Sequence, residues 1–441
     1  MTESSAPPSA TNGSDDRDPS DPPRTPAVDP DPTGGVPVQS VGPAGTAGEH
    51  TDLRAVLEAT RAQIEEADCA ECGASADEAE DLVCGRCGTR RPAVRDHVEF
   101  RLGPAAAVTD RGLRRRRNED ACAIGRIATP GGEVLIASVC DGVASARRGD
   151  EASLAAAEAC VAAVLTRIVA SGATGDRGVA SGATGDRGVA SGATGSGGGF
   201  AHGVSGLDGL ASVGASAAAE AAADLVRFGD PSDPPATTYT GAVTRAGSAV
   251  VSWVGDSRVY WLAQDGTSQL LSVDDSWAEE IAAAGVMTRE QAHADRRAHV
   301  LTRWLGHDSP EGPARARRFR PATPGFLMLC SDGIWNHLPD ADQLAALLDG
   351  TDVAADARAL VDAALADGGY DNATVALVPL DPADGGGEWD PRPDGSEDTG
   401  PILIPLDAED LPRRDTASED TYDPDGRTRP AAREEAPDDS A

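Results

Sequence analysis

The stretch that most constrains this chain is Gly132-Glu133-Val134-Leu135-Ile136-Ala137-Ser138-Val139-Cys140-Asp141-Gly142. An unbroken run of apolar or small, β-prone residues reads as a strand buried on both faces. Asp141 is then expected where the strand leaves the core. A carboxylate at the rim of a rigid sheet is well placed to hold a hard cation. Gly142 lets the backbone turn sharply and brings its carbonyl close to the same cation. The pattern recurs: Gly325–Ser331 delivers Asp332 and Gly333, and Ala249–Gly255 delivers Asp256. Three apolar strands ending in aspartate, in one acidic chain, argue for a shared metal centre.

The acidity is large. Thirty-eight basic residues, all arginine, face 73 Asp and Glu, a net charge of −35 over 441 residues. Such a balance argues against nucleic acid or an anionic membrane as partner. No apolar run approaches the roughly 20 residues that span a bilayer, and Met1-Thr2-Glu3-Ser4 opens no secretory signal. Cys122, Cys140, Cys160 and Cys330 sit singly in apolar segments, as buried thiols of a reducing compartment do. A cytoplasmic monomer is expected.

Four further cysteines form two pairs, Cys69-Ala70-Glu71-Cys72-Gly73 and Cys84-Gly85-Arg86-Cys87-Gly88, with eleven residues between them. That spacing suits a zinc ribbon, four thiolates around one tetrahedral ion with no position left for substrate. The zinc is therefore expected to be structural, and the ribbon to be a docking or regulatory module.

Organisation follows from composition. Residues 1–50 are rich in Pro, Asp, Ser, Thr and Gly and are expected to be a disordered tail. Residues 51–95 hold a short helix (Leu53, Val56, Leu57, Ile64) and the ribbon, 96–380 a globular domain, and 381–441 an acidic disordered tail. Ala-rich helices are expected from Gly149 to about Ala170 and from about Ser212 to Phe228. Between them a decapeptide, Val169 to Gly178, repeats at Val179 and restarts at Val189, so 171–208 reads as a low-complexity loop insert. Gly255-Asp256-Ser257-Arg258 reads as a tight turn back into Val259–Leu262. In Arg114-Arg115-Arg116-Arg117-Asn118-Glu119-Asp120 the arginines, on spacing alone, read as a solvated charge run. Ile402–Leu406 is an apolar island in the tail, a short docking peptide or nothing.

The order of motifs carries a resemblance. Gly112, Arg115 and Asn118-Glu119-Asp120 are followed by Asp141-Gly142, Gly149-Asp150-Glu151-Ala152-Ser153 and Thr237-Thr238. Gly255-Asp256-Ser257-Arg258, Val300–Gly306, Ser331-Asp332-Gly333 and Asp371-Asn372-Ala373-Thr374 complete the series. From about Val98 to Leu380 the chain resembles the bacterial metal-dependent serine/threonine protein phosphatases of the PPM (protein phosphatase 2C) family. The resemblance implies an α+β fold, a four-layer α-β-β-α sandwich of two antiparallel sheets flanked by helix pairs. It implies two Mn²⁺ or Mg²⁺ ions bridged by Asp141, with the carbonyl of Gly142 beside them. Asp332 and Asp371 would complete one ion, Glu119 with Asp120 behind it would hold waters on the other, and Arg115 would clamp the phosphate. Asp256 matches the position of a third ion, and equally a turn-capping acid. The activity implied is hydrolysis of phosphoserine and phosphothreonine in proteins, opposing cytoplasmic serine/threonine kinases. The alternative is a weakly active relative that binds phosphoproteins or regulates a kinase, because bacterial members carry a histidine where this chain has Ala146.

Overall fold

The computed structural model describes residues 95–173 and 206–383, except 229 and 311. It also describes short flanking pieces: 39–40, 49–50, 69, 72–75, 79–80, 83–89, 402–404 and 406. The expected helix at 51–64, most of the tails and most of the insert lie outside the described residues. In chain order the main strands are β1 (His97–Leu102), β2 (Ala105–Asp110), β3 (Asp120–Thr129) and β4 (Gly132–Asp141), followed by helices α1 (Gly149–Ala173) and α2 (Leu207–Asp224). Then come β5 (Tyr239–Arg245), β6 (Ser248–Val254), β7 (Arg258–Leu262), β8 (Ala314–Phe319) and β9 (Gly325–Cys330). Helices α3 (Asp332–Trp335) and α4 (Val353–Ala366) precede β10 (Ala373–Leu380), and β11 (Ile402–Ile404) comes last.

These strands form two sheets. One runs Gln39–Ser40, β1, β2, β10, β9, β7, Gln269–Leu270; the other runs β11, β8, β6, β5, β4, β3, Glu49–His50. Pairing is antiparallel throughout except at the two-residue strand Gln39–Ser40, which lies parallel to β1. Side chains on a strand alternate between faces, and the cores divide accordingly. Val375 and Leu377 of β10 pack with Leu360, Val361 and Ala364 of α4. Ala376, Val378 and Leu380 join the cluster that holds Trp253, Trp261 and Leu327. Each face is apolar because each is covered, one by helices and one by the opposing sheet. The expected α+β sandwich is observed.

Three readings of the sequence are revised. The segment 255–257 does not return the chain as a hairpin: β6 and β7 belong to different sheets, so Asp256 sits at a crossing between them. Gly255 allows this, with φ of 100° and a missing Cβ that would meet Thr238 Cβ at 2.9 Å. The apolar island is a strand, β11, paired antiparallel with β8 along the edge of the second sheet, with Ile404 buried. Finally, Gly149–Ser171 is long and apolar enough by composition to cross a membrane. This corrects the expectation that no apolar run approaches that length, which the charges of Glu158 and Arg167 within the segment suggest. Its apolar content is explained by packing: Ala156, Ala157, Cys160, Val161, Val164 and Leu165 are buried in the core.

Where β1 starts, the His97 imidazole bridges Asp110 (2.7 Å) and Glu99 (2.9 Å), and Arg358 also binds Glu99. Burial alone would lower the His97 pKa. The hydrogen bonds to Asp110 and Glu99 outweigh it and push the pKa to about 9. A histidine raised above its unfolded value of about 6.5 contributes stability that is complete below that value and lost as pH rises through the folded one. The melting temperature should therefore fall between pH 7 and pH 10 by more than in a His97→Gln variant, a difference on the order of 2 kcal/mol. Parallel thermal melts of the two proteins across that window check it; equal slopes would remove His97 from the account.

Candidate active site

Strand register builds the centre of the site. β3 and β4 pair so that Asp120 lies directly opposite Asp141, an arrangement of like charges that costs stability unless something offsets it. The main chain at Asp141 is held by the Thr237-Thr238 pair: Thr238 Oγ1 accepts from the Asp141 amide (3.0 Å), and its carbonyl accepts from the Thr238 amide (2.8 Å) and Thr237 Oγ1 (2.9 Å). Gly142 then lies against Gly149 at the start of α1, where an added Cβ would meet the Gly149 carbonyl carbon at 2.6 Å. The glycine is required by that close approach of two backbones.

Glu119 is positioned from both sides. Its amide donates to Asn372 Oδ1 (2.8 Å), and its carbonyl accepts from Gly142 N (3.1 Å) and Ser153 Oγ (2.6 Å). Asn372 also donates to the carbonyls of Arg111 and Arg117, stapling the whole arginine loop to the start of β10. Asp120 is buried; its Oδ2 accepts from Ser331 Oγ (2.6 Å) and Thr374 Oγ1 (2.8 Å), while its Oδ1 is buried without a hydrogen-bond partner. Asp332 opens α3 after the apolar β9 and accepts from Asn336 Nδ2 (3.2 Å). Asp371, just before β10, pairs with the Arg115 guanidinium. Asp256 fixes the indole of Trp335 through its backbone carbonyl (2.9 Å).

The charges of four of these acids bear on Asp141. The Asp141 carboxyl is held well above the usual carboxylate range, first by burial and then by the charges of Asp120, Asp332, Asp256 and Asp371. Asp332 is raised in the same way, by burial and then Asp256, Asp371 and Asp120, with Arg115 opposing. Burial pushes Asp120 up to about 6; burial and then Asp274 push Asp256 up to about 7. Burial also raises Glu119. Among the described residues no arginine is paired with Asp120, Asp141, Asp256 or Asp332. Buried anions so placed are costly unless cations compensate them, and the donor set is the all-oxygen one that Mg²⁺ and Mn²⁺ favour. The residues fit divalent ions.

Of the acids singled out in the sequence, Asp120, Asp256, Asp332 and Asp371 act by charge on Asp141, and Glu119 is linked by charge to Asp371. Sequence reasoning assigned no role to Asn372, Ser331, Thr374, Thr238 or Ser153, though Asn372 and Ser331 stand beside a named acid. It missed Arg95 entirely, whose guanidinium donates to the carbonyls of Asp120 (2.6 Å) and Asp150 (2.7 Å). No local pattern marks such a residue.

The four cysteines form a separate cluster. Among the described residues they are the set whose ligand atoms all lie within 4.8 Å of one another. Cys69 and Cys87 sulfurs are 3.7 Å apart, as are those of Cys72 and Cys84. The two knuckles repeat one geometry: Gly73 N donates to Cys69 O and Gly88 N to Cys84 O, both at 2.8 Å, with φ of 65° and 73° at the glycines. The Thr89 hydroxyl and amide bring the Cys87 thiol down to about 6.

A sandwich of two antiparallel sheets, with four aspartates acting by charge on Asp141 and an arginine paired with Asp371, defines a class, the metal-dependent phosphatase type. The model of protein phosphatase 2C matches residues 113–367, and the chain belongs to that family. The serine/threonine phosphatase stp of Listeria innocua is 34% identical over 144 residues, which are 32% of this chain and 56% of that one. The chain spans about half the length of such curated relatives. Among solved structures, the Mycobacterium tuberculosis serine/threonine phosphatase PstP/Ppp is 25% identical, covering 63% of this chain and 98% of that one at a TM-score of 0.43. The catalytic domain of PstP in complex with two manganese ions matches at 25% identity, 63% and 98% coverage and a TM-score of 0.40.

Proposed function

We propose that residues 96–380 hydrolyse phosphoserine and phosphothreonine in proteins. The observation that carries this reading is the charge that Asp120, Asp256, Asp332 and Asp371, from separate segments of the chain, exert on Asp141, with Arg115 paired to Asp371. Asp141 would hold two Mn²⁺ or Mg²⁺ ions with the Gly142 carbonyl beside it, Asp332 and Asp371 would serve one, and Glu119 with Asp120 would hold waters on the other; Asp256 would serve a third or cap its turn. When bound, such ions lower the pKa of water and neutralise charge on the phosphoryl oxygens. Arg115, released from Asp371, presents its planar fork to two phosphoryl oxygens and orients the ester for in-line attack. Ser331 and Thr374 hold Asp120 in one rotamer, and Asn372 holds the Arg115 loop against β10, so little reorganisation accompanies binding. Ala146 offers no proton, so the departing serine or threonine oxygen draws its proton from water or another group, and turnover on alkyl esters is limited accordingly.

A second part of the reading is structural zinc at Cys69, Cys72, Cys84 and Cys87. Four sulfurs at about 2.3 Å from one centre stand about 3.8 Å apart, close to the separations observed. A closed thiolate set takes no part in the chemistry, so a recruiting role for the ribbon towards phosphoproteins or a kinase is the remaining one. The four other cysteines are free and buried, which supports a reducing, cytoplasmic setting.

The test is manganese-dependent phosphate release from p-nitrophenyl phosphate and a phosphothreonine peptide by the full chain. No release at millimolar Mn²⁺ would end the enzymatic reading. Arg115→Ala should lower kcat/KM by about 10- to 100-fold, the worth of a hydrogen bond to a charged group. Arg115→Lys should recover only part of this, because an ammonium cannot fork. Steady-state kinetics on the small ester decide; an unchanged kcat/KM would remove Arg115 from phosphate binding.

A further inference from the structure

The arginine loop contains more cations than the phosphate needs. Arg111 and Arg115 are turned inward, onto Asp96 and Asp371. Arg114 and Arg117 are turned outward on either side of Arg115, and both are exposed. The Arg114 guanidinium lies over the ring of Tyr370, 5.7 Å from its centroid. Arg117 approaches Asp150 only to 3.7 Å with its side chain 64% exposed. Beside them are two exposed apolar side chains, Leu113 (59%) and Tyr370 (62%). The Leu113 amide donates to Gly369 O (2.9 Å), which holds the two side chains on one rim, and the His337 ring stacks on Tyr370 at 5.6 Å. Leu113 is two residues from the arginine placed on phosphate, and Tyr370 is next to its partner Asp371.

On a chain of net charge −35 the long-range field disfavours an acidic ligand. The exposed guanidinium groups of Arg114 and Arg117 act against that field at short range, within about 8 Å at physiological ionic strength. Resting on the phosphatase reading above, we infer that Arg114 and Arg117 select phosphoprotein segments with acidic residues flanking the phosphorylated one, while Leu113 and Tyr370 take an apolar neighbour. Charge complementarity specifies the occupant: guanidinium groups that the phosphate does not use pair best with planar carboxylates.

The test uses the full chain with Mn²⁺ and two phosphothreonine peptides that differ only in Asp and Glu, or Asn and Gln, around the phosphorylated residue. Two exposed guanidinium–carboxylate contacts are together worth roughly 2- to 30-fold. The acidic peptide should therefore have a KM about 5- to 20-fold lower at low salt, converging on the neutral one near 0.5 M salt. Arg114→Ala with Arg117→Ala should collapse the ratio towards one, the double Lys variant should keep most of it, and the double Glu variant should invert it. A wild-type ratio of one, or a ratio the double Glu variant leaves unmoved, overturns the inference. A preference appearing only after removal of residues 407–441 assigns the rim to the chain's own acidic tail and overturns it equally. If wild-type protein fails to release p-nitrophenol from the small ester, the phosphatase reading falls, and fluorescence anisotropy with the same peptides and variants decides the rim separately.

Discussion

Asp141→Asn is expected to reduce manganese-dependent phosphate release by at least about 10³-fold and, in metal-free buffer, to raise the melting temperature. The two effects have one cause. Asp141 is the acid on which burial and the charges of Asp120, Asp332, Asp256 and Asp371 all press. Asparagine keeps the shape and the main-chain bonds to Thr237 and Thr238 while removing one charge from the pocket. Without ions the folded state is relieved; with ions it has lost the carboxylate proposed to be shared. Mn²⁺ at 100 times its dissociation constant should stabilise wild type by about 2.7 kcal/mol and the variant by far less. Thermal melts with and without Mn²⁺, alongside phosphate release, test both arms. A variant keeping a tenth of the activity, or melting at a lower temperature than wild type without metal, would contradict this account of the site. An opposition of this kind, function held at the expense of stability, is common where charged groups are gathered for chemistry.

Removing zinc should unfold the 69–88 segment while leaving the sandwich intact. Its described core contains only Cys69, Ala74 and Cys84, with Cys72 packed against them. Its hairpin has two residues in each strand, Ala79–Glu80 and Val83–Cys84. A two-stranded hairpin with no aliphatic cluster is not stable alone. Structural zinc supplies about 10–16 kcal/mol of apparent folding free energy in small domains. One zinc per chain should be found by elemental analysis, and Cys72→Ser should release it. Under a strong chelator, protease cleavage between residues 69 and 88 should appear while the main melting transition stays in place. Protein purified without zinc that resists cleavage there would remove the metal from the account.

Much of the architecture could be read along the chain because its causes are local. Strands β4, β9 and β10 are apolar at nearly every position, which only a strand covered on both faces tolerates, and both faces are indeed covered. The glycines after Asp141 and Asp332, and those after Cys72 and Cys87, mark places where backbone must approach backbone or turn left-handed. Gly333, for example, would put a Cβ 1.8 Å from the Asn372 carbonyl oxygen. Asp141, Asp256 and Asp332 stand out because each ends an apolar run, whereas Glu119, Asp120 and Asp371 are marked only by the resemblance.

What the amino-acid order determined, then, was which segments are buried strands, where each releases an acid, and where four thiols can meet. Tertiary structure alone decided how those pieces face one another. Asp120 opposite Asp141, Asn372 on the Arg111–Glu119 loop, Ser331 and Thr374 on Asp120, the crossing at Asp256 and the docking of Ile402–Ile404 on β8 join residues from about 20 to 250 positions apart. No periodicity or spacing reports such contacts, because their energy exists only once two sheets have closed on each other and water has left the space between them.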